Sequence, residues 1–164
     1  MKQLTLKTLA LTTALGLSLT AHAGHTNHVL STHLSADNLV GTDGDPDGKG
    51  HAHVFGVDGD PTTLCYVIQV ENIAMVPVGE GMAAHIHEAG ATGNGDPIAM
   101  LAGPEDGDAA DCLTEGEEGK FPTGEAGIVK RILENPSDFY INIHNPEYPA
   151  GAIRGQLMGP HQGM

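Results

Sequence analysis

Apolar positions along the chain fall in short runs of period two, cut by glycine, proline and aspartate, which is the pattern of half-buried strands joined by turns. In "TLCYVIQVENI" (residues 63 to 73), Leu64, Tyr66, Ile68 and Val70 alternate with Cys65, Val67 and Gln69. The run before it, "HAHVFGV" (51 to 57), is separated from it by "DGDPT", and the pair is predicted to form a hairpin. "HVLSTHLSADNLV" (28 to 40) is predicted to be a first strand. "AAHIHE" (83 to 88) and "PIAMLA" (97 to 102) are two more, flanking the turn-rich "AGATGNGD". "DFYINIH" (138 to 144) and "GAIRGQLM" (151 to 158) are expected to close the fold as a pair joined by "NPEYPA".

One segment breaks this period. "GEAGIVKRILENP" sets Ile128, Val129, Ile132 and Leu133 at helical spacing, with Thr123 as the expected cap and Pro136 as the stop. The expected architecture is therefore an antiparallel β-sandwich or barrel with one short helix near 125–134. "GDP" occurs at 44, 59 and 95, and these unequal intervals mark turns, not a repeat.

The start of the chain adds an address. "MKQLTLKTLALTTALGLSLTAHA" has Lys2 and Lys7, an apolar run from about Leu9 to Leu19, and the small-x-small triplet Ala21-His22-Ala23. This is the layout of a secretory signal peptide, with an apolar core too short for a membrane span. The expected organisation is a signal at 1–23, one domain at 24–158 and a tail at 159–164, exported to the periplasm or medium. Cleavage after Ala23 would remove two lysines and no acid, taking the formal charge from −14 to −16. Such a charge argues against nucleic acid or an anionic membrane as partner, and favours solubility or cation binding. In an oxidising compartment Cys65 and Cys112 pair by default; neither lies in a C-x-x-C, which weakens a metal-thiolate reading.

Alternation then sorts the histidines. In "AAHIHE", Ala84 and Ile86 share one face while His85 and His87 share the other, and in "DFYINIH" the same rule separates Phe139, Ile141 and Ile143 from Tyr140, Asn142 and His144. Three imidazoles thus leave the core side of two strands. If the strands are neighbours, the three can converge on copper or zinc on the outer sheet face, with Glu88 and Asn142 orienting the rings. The alternative is that each ring bonds to a carbonyl or carboxylate inside the protein and holds no ion. His51 and His53, another same-face pair, are weaker candidates for a second or extended site. His25, His28, His33 and His161, with Met82, Met158 and Met164, could scavenge a soft ion, although methionine more often packs. Asp43, Asp45, Asp47 and Gly48 match the first half of a calcium loop, but Val54 stands where the bidentate glutamate belongs. The sequence contains no phosphate-binding glycine loop, G-x-S-x-G or H-E-x-x-H, and no catalytic residue is assigned.

The blocks "TLCYVIQVENI", "AAHIHEAGATGNGDPIAML" and "NPSDFYINIHNPEYPAGAIRGQL" closely resemble those of the CHRD domain, named after chordin, from about Val29 to Leu157. Ala84, His85, Ile86, His87 and Gly90 meet its A-H-I-H-x-G run, with one extra residue before the glycine. Tyr140, Asn142 and His144 meet Y-x-N-x-H, while Pro149, Ala150, Gly151, Ile153, Arg154, Gly155 and Gln156 meet P-A-G-x-I-R-G-Q. The resemblance implies an immunoglobulin-like β-sandwich in an exported single-domain protein of unresolved biochemical role. The expected function is a non-catalytic binding module whose protein partner is left open, with a structural or protein-interaction module that holds no metal as a further alternative. "DGDPDGKGHAH" departs from the family pattern. In addition, "AHIHEAG" looks like the copper-binding strand of copper-zinc superoxide dismutase, and "YINIH" like a later ligand strand. That likeness implies copper at His85, His87 and His144, Arg154 as an anion-guiding residue, and a copper-dependent redox enzyme as the competing function. The histidines that would bridge to and bind zinc in that enzyme have no counterpart between Glu88 and His144.

Overall fold

The computed structural model describes residues 29–77 and 79–159. The expected signal peptide, His25, His28, His161, Met164 and nearly all of the expected tail lie outside them. The described residues form eight strands: β1 (Leu30–Ser35), β2 (Lys49–Val57), β3 (Asp60–Glu71), β4 (Ala83–Glu88), β5 (Pro97–Leu101), β6 (Asp108–Thr114), β7 (Phe139–His144) and β8 (Ile153–Gln156). They form one antiparallel sheet in the order β5-β4-β7-β8-β1-β2-β3-β6, and the described residues hold a single α-helix, α1 (Ile128–Glu134). Among the described residues no helix is long and apolar enough to cross a membrane.

The sheet bends until its ends nearly meet, which makes the expected antiparallel sandwich out of one continuous ladder. At the β5 edge, the Met100 amide donates to the Lys120 carbonyl at 2.8 Å, and the Ala102 amide donates to the Tyr66 hydroxyl of β3 at 2.6 Å. Between the two halves, Leu30, Leu34, Val54, Leu64 and Ile68 share one buried cluster with Ile86, Ile141 and Ile143. The period-two apolar positions are therefore the core, and removing them from water is the main source of stability.

Several boundaries differ from the expectation for local reasons. The first strand stops at Ser35 and gives way to a 3-10 turn at Ala36–Asn38. There the Asn38 side chain donates to the carbonyls of Arg154 (3.0 Å) and His33 (3.3 Å), taking over bonds that a longer ladder would supply. The β2–β3 hairpin turns on Asp58-Gly59, with Gly59 at φ +81°, so β3 begins at Asp60. The sequence pattern predicts no strand at β6, where Leu113 is the one fully buried side chain.

The helix lies where the periodicity puts it, but Thr123 is not its cap. Gly127 occupies the cap position, and the first amides turn to Glu115, whose carboxylate accepts from Gly127 N (2.8 Å) and Val129 N (2.9 Å). A carboxylate there satisfies donors that the helix cannot, and its charge suits the helix N-terminus. Glu115→Ala is expected to lower stability by about 1 kcal/mol in urea unfolding, with Thr123→Ala having a smaller effect.

Candidate metal centre

β4 and β7 are hydrogen-bonded neighbours near the middle of one half of the sheet, in the register Ala83↔His144, His85↔Asn142 and His87↔Tyr140. That register, combined with alternation, puts the three imidazoles on one face. Ring centroids are 5.1 Å apart for His85–His144, 5.5 Å for His85–His87 and 6.1 Å for His87–His144. One ring nitrogen from each lies within 4.8 Å of the other two. Ligands about 2.0–2.1 Å from a shared ion stand roughly 3.5 Å from each other, so closure requires adjustments of about 1 Å shared among three rings.

The face is not open, as the alternation alone suggests. Ile141 and Ile143 of β7 are buried in the core, yet Tyr140 and Asn142 on the opposite side are also buried. Chain from Leu39 to Thr42, Asn94-Gly95 and Ala150 folds over this side and leaves a cleft of about 340 Å³ whose walls include His87, His144, Tyr140 and Arg154. Sequence periodicity reports which face leaves the core, whereas loops decide whether that face meets water.

The same loops orient two rings. His87 Nδ1 lies 2.8 Å from the Gly95 carbonyl and His144 Nδ1 lies 3.0 Å from the Pro149 carbonyl. A carbonyl only accepts, so both Nδ1 atoms carry the proton and both Nε2 atoms keep a lone pair. Those Nε2 atoms, together with Nδ1 of His85, are buried without a hydrogen-bond partner. Burial without a partner is costly for such atoms and marks a place where a ligand would repay it. Burial also lowers the pKa of all three: His85 falls to about 4, helped by repulsion from His144 and His87, while the bonded carbonyls partly offset the shift at His87 and His144. Neutral imidazoles with free lone pairs are the form a metal ion requires.

The backbone carbonyls of Gly95 and Pro149 are functional groups that side-chain reasoning missed. Gly95 carries the one available signal: a Cβ there would stand 1.9 Å from the Glu88 carbonyl, so only glycine lets this loop lie against β4.

Other expected site residues stand elsewhere. Glu88 does not turn to the histidines; its carboxylate pairs with Arg131 of α1, which also meets Glu125 at 2.9 Å. Asn142 lies beside His85 in the ladder, but its amide donates to the Ala150 carbonyl at 3.3 Å and its Oδ1 has no partner. Arg154 is 2% exposed, with Nη1 donating to Asn94 Oδ1 (3.0 Å) and Nη2 to the Gly90 carbonyl (3.1 Å). Its guanidinium lies 3.5 Å from the centroid of the Tyr140 ring, whose other neighbour is the stacked His87 ring at 4.8 Å. Arg154 is thus spent on holding the covering loop, and steering anions would require it to be accessible.

Among the described residues, the histidine trio is the one group of three such ligand atoms in reach of each other, and Asp43, Asp45 and Asp47 form no such group. Asp45 is buried, its pKa raised by that burial and by Asp47, while its backbone joins Ala152 at 3.0 Å. Met82 packs in the core and Met158 bridges to Ser31 through the backbone. Cys65 and Cys112 face each other across β3–β6 and are bonded as a disulfide.

A family model, the CHRD domain, matches residues 30–157. No curated protein and no solved structure matches the chain, so the likeness to superoxide dismutase rests on "AHIHEAG" and "YINIH" alone.

Proposed function

The chain belongs to the CHRD-domain family, and from that premise we propose that it is an exported, non-catalytic binding module that holds a copper or zinc ion through His85, His87 and His144. The observation that carries the reading is the set of three buried ring nitrogens without partners, two of them set by carbonyls bonded to the far side of the ring. A hydrogen bond on the far nitrogen fixes ring orientation and raises ligand basicity, which is how metal-binding histidines are commonly supported. Such an ion would supply a positive charge beside the cleft; the protein supplies three neutral nitrogens and a loop that limits access. Export is supported by the N-terminal pattern of residues 1–23 and by the disulfide.

Metal analysis of tag-free protein compared with a His85→Ala/His87→Ala/His144→Ala variant tests the reading. The wild type is expected to retain about one equivalent of copper or zinc through dialysis, and the variant to lose it. Equal metal content in both, with the variant folded by near-ultraviolet circular dichroism, would overturn the site.

A further inference from the structure

The six histidines of the described residues fall into two groups of three. Each group is a His-x-His on one strand plus a histidine on the hydrogen-bonded neighbour: His85, His87 and His144 on β4 and β7, and His51, His53 and His33 on β2 and β1. We propose that His33, His51 and His53 form a second, surface-exposed site for a borderline divalent cation, copper(II) or zinc.

The register places His33 directly opposite His51, and His53 one step along on the same face, opposite Ser31. Ala52 and Val54 on β2, with Leu34 on β1, point into the core, so all three imidazoles stand on the outer side and are exposed. Directly opposed side chains have Cβ atoms about 4.5–5.5 Å apart, and same-face residues along a strand are about 6.6 Å apart. As they stand the three rings are not within the mutual reach of the buried trio, so a shared ion would be met by χ rotations, which these spacings allow. The rings of His51 and His53 already lie 6.1 Å apart, edge to face. His51 Nε2 is 2.9 Å from Gln69 Oε1, a contact at the surface that water replaces cheaply when the ring turns. Lys49 does not oppose the cation freely, since its ammonium is 3.2 Å from the Glu71 carboxylate.

The two groups differ in what surrounds the rings. No backbone carbonyl is bonded to His51 or His53 as Gly95 and Pro149 are to the buried rings. Loss of such support typically costs 10- to 100-fold in affinity, so the surface site is weaker than the buried one by about that factor and exchanges with solvent directly.

Copper(II) titration of the tag-free wild type is compared with a His33→Asn/His51→Asn/His53→Asn variant, followed by calorimetry and by paramagnetic broadening of imidazole resonances. The wild type is expected to show a weaker second binding event that broadens His33, His51 and His53; the variant loses that event and keeps the tighter one. A variant that retains the weaker event, or a wild type whose weaker event leaves these three rings sharp, overturns the proposal. The buried site is read separately: the His85→Ala/His87→Ala/His144→Ala protein should lose the tight event and keep the weak one, so each site can fail without the other.

Discussion

Replacing Arg154 with methionine is expected to lower stability by about 3–5 kcal/mol, measured as a shift in the urea midpoint at constant m. The side chain is 2% exposed and links β8 to the loop that covers the histidines. Methionine keeps much of the volume but offers no donors, leaving the Gly90 carbonyl and Asn94 Oδ1 without theirs; hydrogen bonds from a charged donor contribute about 1.5–3 kcal/mol each. The guanidinium stacked 3.5 Å from the Tyr140 ring adds about 1–2 kcal/mol in this desolvated position. The burial cost that the arginine itself pays offsets part of that sum and brings the net into the stated range. Arg154→Lys keeps the charge but loses the planar fork, so its effect should fall between wild type and methionine. Because Asn94 immediately precedes Gly95, whose carbonyl orients His87, metal affinity should also drop by about tenfold. A midpoint shift worth less than 1 kcal/mol for the methionine variant would mean that the loop holds without Arg154.

Arg154 also shows what the sequence could and could not convey. Period-two alternation correctly separates His85 and His87 from Ile86, and His144 from Ile143, because strand geometry is local and obligatory. The same alternation gives Glu88 the parity of Ile86 and not of the histidines, in keeping with its turn toward α1, where Arg131 meets it. The burial of Arg154 is a different kind of fact. It depends on residues 89–95 folding back over the sheet, a contact across more than sixty positions of sequence that no local pattern encodes. The ring-orienting groups of Gly95 and Pro149 are backbone carbonyls, identical in every residue, and are therefore invisible to a reading of side chains. β6 escaped for a simpler reason: an edge strand with one face on the core and Leu113 as its single fully buried side chain has no alternation to read. Its cysteine was the only mark, and the sequence supplied the pairing without the strand.

That pairing leads to the second large effect. Cys65→Ser/Cys112→Ser is expected to destabilise the protein by roughly 3–4 kcal/mol, since the bond closes a loop with a sequence separation of 47 and restricts the unfolded chain accordingly. The site adds a local consequence. β6 is the sheet's last strand, hydrogen-bonded to β3 on one side only, and little apolar surface holds it there. Glu115, the residue after Thr114, carries the carboxylate that anchors the first amides of α1, so loosening β6 should also loosen the helix start. Hydrogen exchange should therefore accelerate most at Asp108–Thr114 and at Gly127 and Val129 in the variant. β4 and β7 lie in the other half of the ladder, and metal retention by His85, His87 and His144 should persist wherever the variant remains folded. Exchange that rises evenly over all strands would instead assign the disulfide a purely global role, acting on the unfolded ensemble. A loss below 1 kcal/mol would mean that the β3–β6 ladder is sufficient without it.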